Sequence, residues 1–148
     1  MSRASVLVVD DDADFRSLVR GELIEAGYDV ELAAGAEEGL RKLVGEDVDV
    51  LLLDLQMPGK NGCQLLREAR QMGVQSETVV VTAYPESDIA EQCLEAGAFE
   101  LLEKPFSSRM LLSTVAHAVE RSRLLRTAIL YDASRAVFAS RIRPPSRR

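Results

Sequence analysis

Val50-Leu51-Leu52-Leu53-Asp54, followed by Leu55-Gln56-Met57-Pro58-Gly59, is a continuous apolar run closed by an acid and then by a turn. A strand with one wet face alternates apolar and polar residues, so four apolar residues in succession read as a strand covered on both faces. That is the condition of a central strand in a parallel sheet. Pro58-Gly59 ends the run with turn chemistry, and Asp54 stands at the carboxyl end of the strand.

The same unit recurs on either side. Ser5–Asp10 is a β-branched apolar run ending in acids, after which Phe15, Leu18, Val19 and Leu23 recur at helical spacing until Gly27 stops the helix. Tyr28–Ala33 leads to Ala36, Leu40, Leu43 and Val44. The central run, from Val48 to Asp54, leads to Leu65, Leu66, Ala69 and Met72. Thr78–Ala83 leads to Ile89, Cys93 and Leu94, and Phe99–Glu103 leads past Pro105 to Leu111, Val115, Ala118 and Val119. Strict strand-helix alternation predicts an α/β fold, a doubly wound parallel sheet with right-handed crossovers and helices on both faces. Residues 1–120 are expected to form this domain. Over residues 121–148 a basic extension continues the last helix through Leu124, Leu125, Ala128 and Ile129, and Arg141–Arg148, with two prolines, is expected to be a solvated, disordered tail.

Charge is divided unevenly along the chain. The net charge is −6, yet residues 121–148 hold eight Arg against one acid, Asp132, so the acid excess of residues 1–120 is larger than the total. An acidic body is a poor nucleic-acid surface and a good holder of cations. No apolar run approaches the roughly 20 residues that span a bilayer, and the amino terminus lacks a signal-peptide core, so a cytoplasmic protein without membrane partners is expected. Cys63 and Cys93 lack CxxC or partner-histidine spacing and read as half-buried reduced thiols. His117, the only histidine, reads as a surface or boundary residue of the last helix.

In open α/β sheets ligands gather at the carboxyl ends of the strands. Asp10 and Asp11 end the first strand, Asp54 the third, Thr82 lies near the end of the fourth, and Lys104 closes the fifth. Taken singly, each has an ordinary explanation: a helix cap for Asp10 or Asp11, a satisfied strand hydroxyl for Thr82, a solvated charge for Lys104. Asp12 is expected to be such a cap. Together they form a constellation. Converging carboxylates need a neutralising cation, hard oxygen ligands suit Mg²⁺, and Lys104 and Thr82 supply a positive charge and a hydroxyl for a phosphoryl group whose acceptor is Asp54.

With Val8-Val9-Asp10-Asp11-Asp12, Leu53-Asp54-Leu55-Gln56-Met57-Pro58-Gly59, Asn61-Gly62, Val81-Thr82-Ala83 and Lys104-Pro105-Phe106 in this order, the chain resembles the receiver domain of two-component response regulators over residues 4–120. The resemblance implies a flavodoxin-like (βα)₅ fold with strand order 2-1-3-4-5, for which a receiver of this family is a standard example. It implies a phosphoacceptor switch, not an enzyme with a separate substrate: the domain catalyses only its own phosphorylation and dephosphorylation. Asp54 would be the phosphoacceptor and Asp11 the direct Mg²⁺ ligand. Asp10 would hold the metal through water, with Asp54 and the Gln56 backbone carbonyl completing the set. The Gln56 and Tyr84 side chains would tune access of hydrolytic water, and Lys104 would pair with a phosphate oxygen. Thr82 would move toward the phosphoryl group. The family's usual aromatic residue, three positions before that Lys, is Leu101 here, so the aromatic half of the switch is replaced.

The donor implied is a histidine kinase or a histidine phosphotransfer protein. Residues 121–148 are too few for a winged-helix or ATPase effector, so the output is either a separate protein target or an effector domain beyond these residues. The extended helix, with Leu125, Ile129 and Tyr131, is compatible with a homodimer, with docking of an acidic partner through its Arg residues, and with a solvated, frayed helix. A haloacid-dehalogenase-type phosphatase would require DxDxT, and Asp54-Leu55-Gln56-Met57-Pro58 has neither the second Asp nor the Thr. A dinucleotide-binding domain would require GxGxxG where the chain has Asp10-Asp11-Asp12-Ala13-Asp14-Phe15. The remaining alternative is a receiver-like binding module that works without phosphorylation.

Overall fold

The computed structural model describes residues 3–141. Among them, five parallel strands, β1 (Ser5–Val9), β2 (Asp29–Ala33), β3 (Val50–Asp54), β4 (Glu77–Thr82) and β5 (Glu100–Glu103), form one sheet in the order β2-β1-β3-β4-β5. They alternate with α1 (Ala13–Glu25), α2 (Ala36–Gly45), α3 (Gly62–Gln71), α4 (Asp88–Glu95) and α5 (Ser108–Arg141). The expected doubly wound (βα)₅ fold with strand order 2-1-3-4-5 and an extended last helix is the observed one.

The unbroken apolar run of β3 is explained by its position. Val50–Leu53 pairs with Val6–Val9 of β1, and Val50–Asp54 with Glu77–Val81 of β4, so its backbone is bonded on both edges. Its side chains divide by parity. Val50 and Leu52 join Val6, Val8, Val79 and Val81 under α1 and α5, where Val19, Leu23, Leu111, Val115 and Ala118 complete one core. Leu51 and Leu53 point the other way and meet Leu7, Val9, Leu65 and Leu66 under α2 and α3. Each fully buried Val or Leu contributes roughly 1.5–3 kcal/mol through removal from water. Leu18, Val44, Met72 and Leu94, although on the helical stripes, are more than two-fifths exposed, because only the middle of each stripe faces the sheet.

Helix starts follow local chemistry. The Asp12 side chain accepts from the Asp14 and Phe15 N–H groups and caps α1. Asn61 and Gln64 form a reciprocal capping box on α3, and Ser87 caps α4. Gly62 allows the start of α3 to lie against the end of β3: a Cβ at this position would stand 2.7 Å from the Asp54 carbonyl oxygen.

Cys63 and Cys93 are fully buried, not half-buried as expected, because α3 and α4 pack side by side and bring them together in a small third core with Leu55, Val80 and Ala90. Both thiols are free, and burial together with the adjacent Cys63 pushes the Cys93 thiol up to about 12.

The last helix has two halves. As far as Val119 it packs on the sheet; beyond it, Leu124, Leu125, Ile129, Leu130 and Tyr131 are exposed. Two arginines tie this second half to the floor of the sheet: Arg121 Nε lies 3.3 Å from Glu77, and Arg126 lies 2.8 Å from Asp47 and 3.1 Å from Asp49. The tail expected over Arg141–Arg148 lies outside the described residues after Arg141.

Candidate functional site

The backbone leaves β1 after Val9, and the Asp10 N–H still donates to the Ala33 carbonyl at 3.1 Å, which fixes the acid at the sheet edge. Asp10 is almost fully buried, and one of its carboxylate oxygens accepts from the Asp12 N–H at 2.9 Å. Asp11 is exposed, and among the described residues none donates to its carboxylate. Asp54 ends β3, buried, with the Gln56 N–H donating to it at 3.2 Å. One carboxylate oxygen from each of Asp10, Asp11 and Asp54 lies within 4.8 Å of the others.

Charges so close cannot all be held comfortably. Burial first, and then the neighbouring Asp10 carboxylate, raises the Asp54 carboxyl from 3.8 to about 6, against the smaller opposing effects of the Gln56 N–H and Lys104. The Lys104 ammonium caps the group, 3.2 Å from Asp10 and 3.9 Å from Asp54. Its own backbone N–H donates to the Thr82 carbonyl at 2.9 Å, so β4 places it.

Thr82 is buried at the end of β4, and its Oγ1 accepts from the Tyr84 N–H at 3.0 Å, a bond that leaves the hydroxyl proton unused. The Gln56 and Tyr84 side chains are exposed beside this edge. Leu101 is not part of the acidic group. It pairs with Val80 in the β4–β5 register and packs into the small core that holds Cys63 and Cys93 under α4. His117 is exposed on α5. The Lys104–Pro105 bond is cis.

An all-oxygen donor set of three carboxylates, one of them open to solvent and without a hydrogen-bond donor, fits Mg²⁺, which takes one or two carboxylates and keeps several waters.

Three residues near the site are not marked as site residues by the sequence. Arg16 Nη1 donates to the Asp10 carbonyl at 2.7 Å. Phe15 lies face-on under the Lys104 ammonium, 4.2 Å from ring centroid to Nζ, and Phe106 meets the Phe15 ring edge-on. Phe15 is legible only as part of the apolar stripe of α1, because a stripe residue and a residue beside the site have the same local spacing.

The model of the response regulator receiver domain matches residues 6–116. The response regulator protein PilR of Pseudomonas aeruginosa is 35% identical over 119 residues, which cover 80% of this chain and 27% of that protein. The C4-dicarboxylate transport transcriptional regulatory protein DctD of Rhizobium meliloti is 31% identical over 121 residues, 82% of this chain and 26% of that protein. The chain thus spans about a quarter of the length of these curated relatives. Among solved structures, a CheY-like receiver domain protein from Methanospirillum hungatei superposes with a TM-score of 0.79 at 31% identity, covering 82% of this chain and 98% of that one. The fold, the acid pocket and these similarities agree, and the chain belongs to the response regulator receiver domain family of two-component systems.

Proposed function

We propose that Asp54 accepts a phosphoryl group from a phosphohistidine on a histidine kinase or a histidine phosphotransfer protein, and that this phosphorylation switches a protein-interaction surface. The observation that supports it most is the convergence of Asp10, Asp11 and Asp54 beside Lys104 at the carboxyl edge of the sheet. A carboxylate oxygen of Asp54 forms the new bond to phosphorus, and the phosphorus–nitrogen bond of the donor breaks, its electron pair leaving with the imidazole. Lys104 pairs with a phosphoryl oxygen and neutralises charge that builds up in transfer, and Thr82 donates its hydroxyl to another oxygen. Asp11 would hold Mg²⁺ directly and Asp10 through water, with Asp54 and the Gln56 backbone carbonyl completing the set. When bound, the metal supplies positive charge to the carboxylates and the phosphoryl oxygens. The domain is a switch and not an enzyme with turnover of a foreign substrate, and it works in the cytoplasm.

Thr82 is read as the moving part of the switch. With Leu101 in the aromatic position, the signal to the surface of α4, β5 and α5 passes through packing of Leu101 against the α4 core and not through a swinging ring. Residues 1–120 are read as the receiver proper and residues 121–148 as its extension. The turn Ala128-Ile129-Leu130-Tyr131 is apolar on every side of the helix, which supports a contact there with a second copy or with a following effector domain. Output is protein-borne. The acidic body argues against nucleic acid as a direct ligand of this domain.

Intact-protein mass after incubation with Mg²⁺ and acetyl phosphate tests the chemistry. A single phosphoryl adduct that requires Mg²⁺ and is absent in Asp54→Ala is the expected result. Folded wild-type protein that takes up no phosphoryl group, from this donor or from a histidine kinase, would favour the phosphorylation-independent binding module.

A further inference from the structure

Lys104 is held by three groups of two kinds. Its ammonium is 3.2 Å from Asp10, 3.9 Å from Asp54 and 4.2 Å from the centroid of the Phe15 ring, with the side chain 27% exposed. The ring is itself held: Phe106, two residues after Lys104, meets it at 5.9 Å with the planes at 87°, an edge-to-face contact. Lys104 and Phe106 thus grip Phe15 from the loop between β5 and α5, while the Asp12 cap fixes the first turn of α1, on which Phe15 stands.

We propose that Phe15 is a positioning residue for phosphoryl transfer, whose ring face keeps the Lys104 ammonium at the mouth of the acid pocket while Phe106 keeps the ring in place. The inference rests on the role of Lys104 given above. A lysine side chain is long, flexible and strongly hydrated, and confining it opposes considerable rotamer entropy. The carboxylates that confine it are the groups whose charge changes as a cation enters and as Asp54 takes up its phosphoryl group. The aromatic face stays the same throughout. It attracts the ammonium without competing for its hydrogen bonds to phosphate, so Lys104 can exchange Asp10 for a phosphoryl oxygen and stay in place.

The experiment compares wild type, Phe15→Tyr, Phe15→Leu and Phe106→Leu by NMR of the lysine side chains and by the rate of phosphorylation with acetyl phosphate and Mg²⁺. The Lys104 methylene protons beside Nζ are expected upfield of the other lysines, through the ring current, in wild type and Phe15→Tyr. Phe15→Leu, which keeps apolar bulk in the stripe of α1, is expected to lose that shift. Its phosphorylation should slow by about two- to tenfold, with the Mg²⁺ concentration for half-maximal rate unchanged because the acids are untouched. Phe106→Leu is expected to fall between. A Phe15→Leu protein that melts like wild type and is phosphorylated at the wild-type rate would overturn the proposal, as would a wild-type Lys104 without the shift. A shift with no phosphorylation in any variant, from acetyl phosphate or from a histidine kinase, would overturn the phosphoacceptor role and leave the ring–ammonium contact standing.

Discussion

At the scale of single residues, Asp54 carries the conflict of the site. Its carboxyl is raised to about 6 from an ordinary 3.8, chiefly by burial, so the folded protein holds this proton more tightly than the unfolded chain does. The associated stability is complete below about pH 4 and is lost as pH rises through about 6, a difference of ~3 kcal/mol. Asp54→Asn, neutral throughout, should therefore match wild type near pH 4 and exceed it at pH 7, and Mg²⁺ added to wild type should close much of the gap. Denaturant unfolding at the two pH values checks this, and a gap indifferent to pH would contradict it. Gly62 carries a second constraint. Gly62→Ala should lower stability by about 1–3 kcal/mol, because its Cβ would be driven onto the Asp54 carbonyl and α3 would have to shift. The denaturation midpoint measures the cost. The identity of Asp54 was legible in the sequence as an acid ending an apolar run. Its proton affinity was not, because burial and the charge on Asp10 belong to the assembled site.

At the scale of elements, α5 differs most from its neighbours. Its first half is an ordinary amphipathic helix, whereas its second half depends on charge pairs with Glu77, Asp47 and Asp49 at the floor of the sheet. Asp49 is nearly buried and also accepts from the Ser5 N–H at 2.8 Å, so Arg126 reaches a carboxylate already fixed by β1. Arg126→Ala should cost about 1 kcal/mol or less in global stability, since the guanidinium is two-fifths exposed and solvent screens it. Local opening should respond more: amide exchange over residues 122–131 should quicken in the variant, and in wild type at high salt. Unchanged exchange in both would mean that the arginines do not seat the helix. The helical stripe through Leu124, Leu125, Ala128 and Ile129 announced the continuation of α5. The carboxylate partners were hidden, because they come from the segment between α2 and β3 and from the start of β4.

At the scale of the whole molecule, the two edges of the sheet divide the work. The carboxyl edge gathers the acids, Thr82 and Lys104, and the opposite edge anchors the extension whose exposed Leu124, Leu125, Ile129, Leu130 and Tyr131 leave the body. A helix half with this much exposed apolar surface is expected to find a partner. A chain shortened to residues 1–124 should remain monomeric under conditions in which the full chain associates, as judged by mass in solution. The same number of copies per particle for both chains at every concentration would exclude pairing through the extension. Local pattern alone determined the alternation of strands and helices, the central place of β3, the Asp12 cap and the presence of Asp10, Asp11, Asp54, Thr82 and Lys104 at strand ends, because each is written in the spacing of neighbouring residues. The tertiary structure alone decided how closely the three carboxylates converge, that Cys63 meets Cys93, that Leu101 packs beneath α4, and that Phe15 lies under Lys104. These depend on distances between segments remote in the chain and on how completely water is excluded between them, and neither is a property of a local run of sequence.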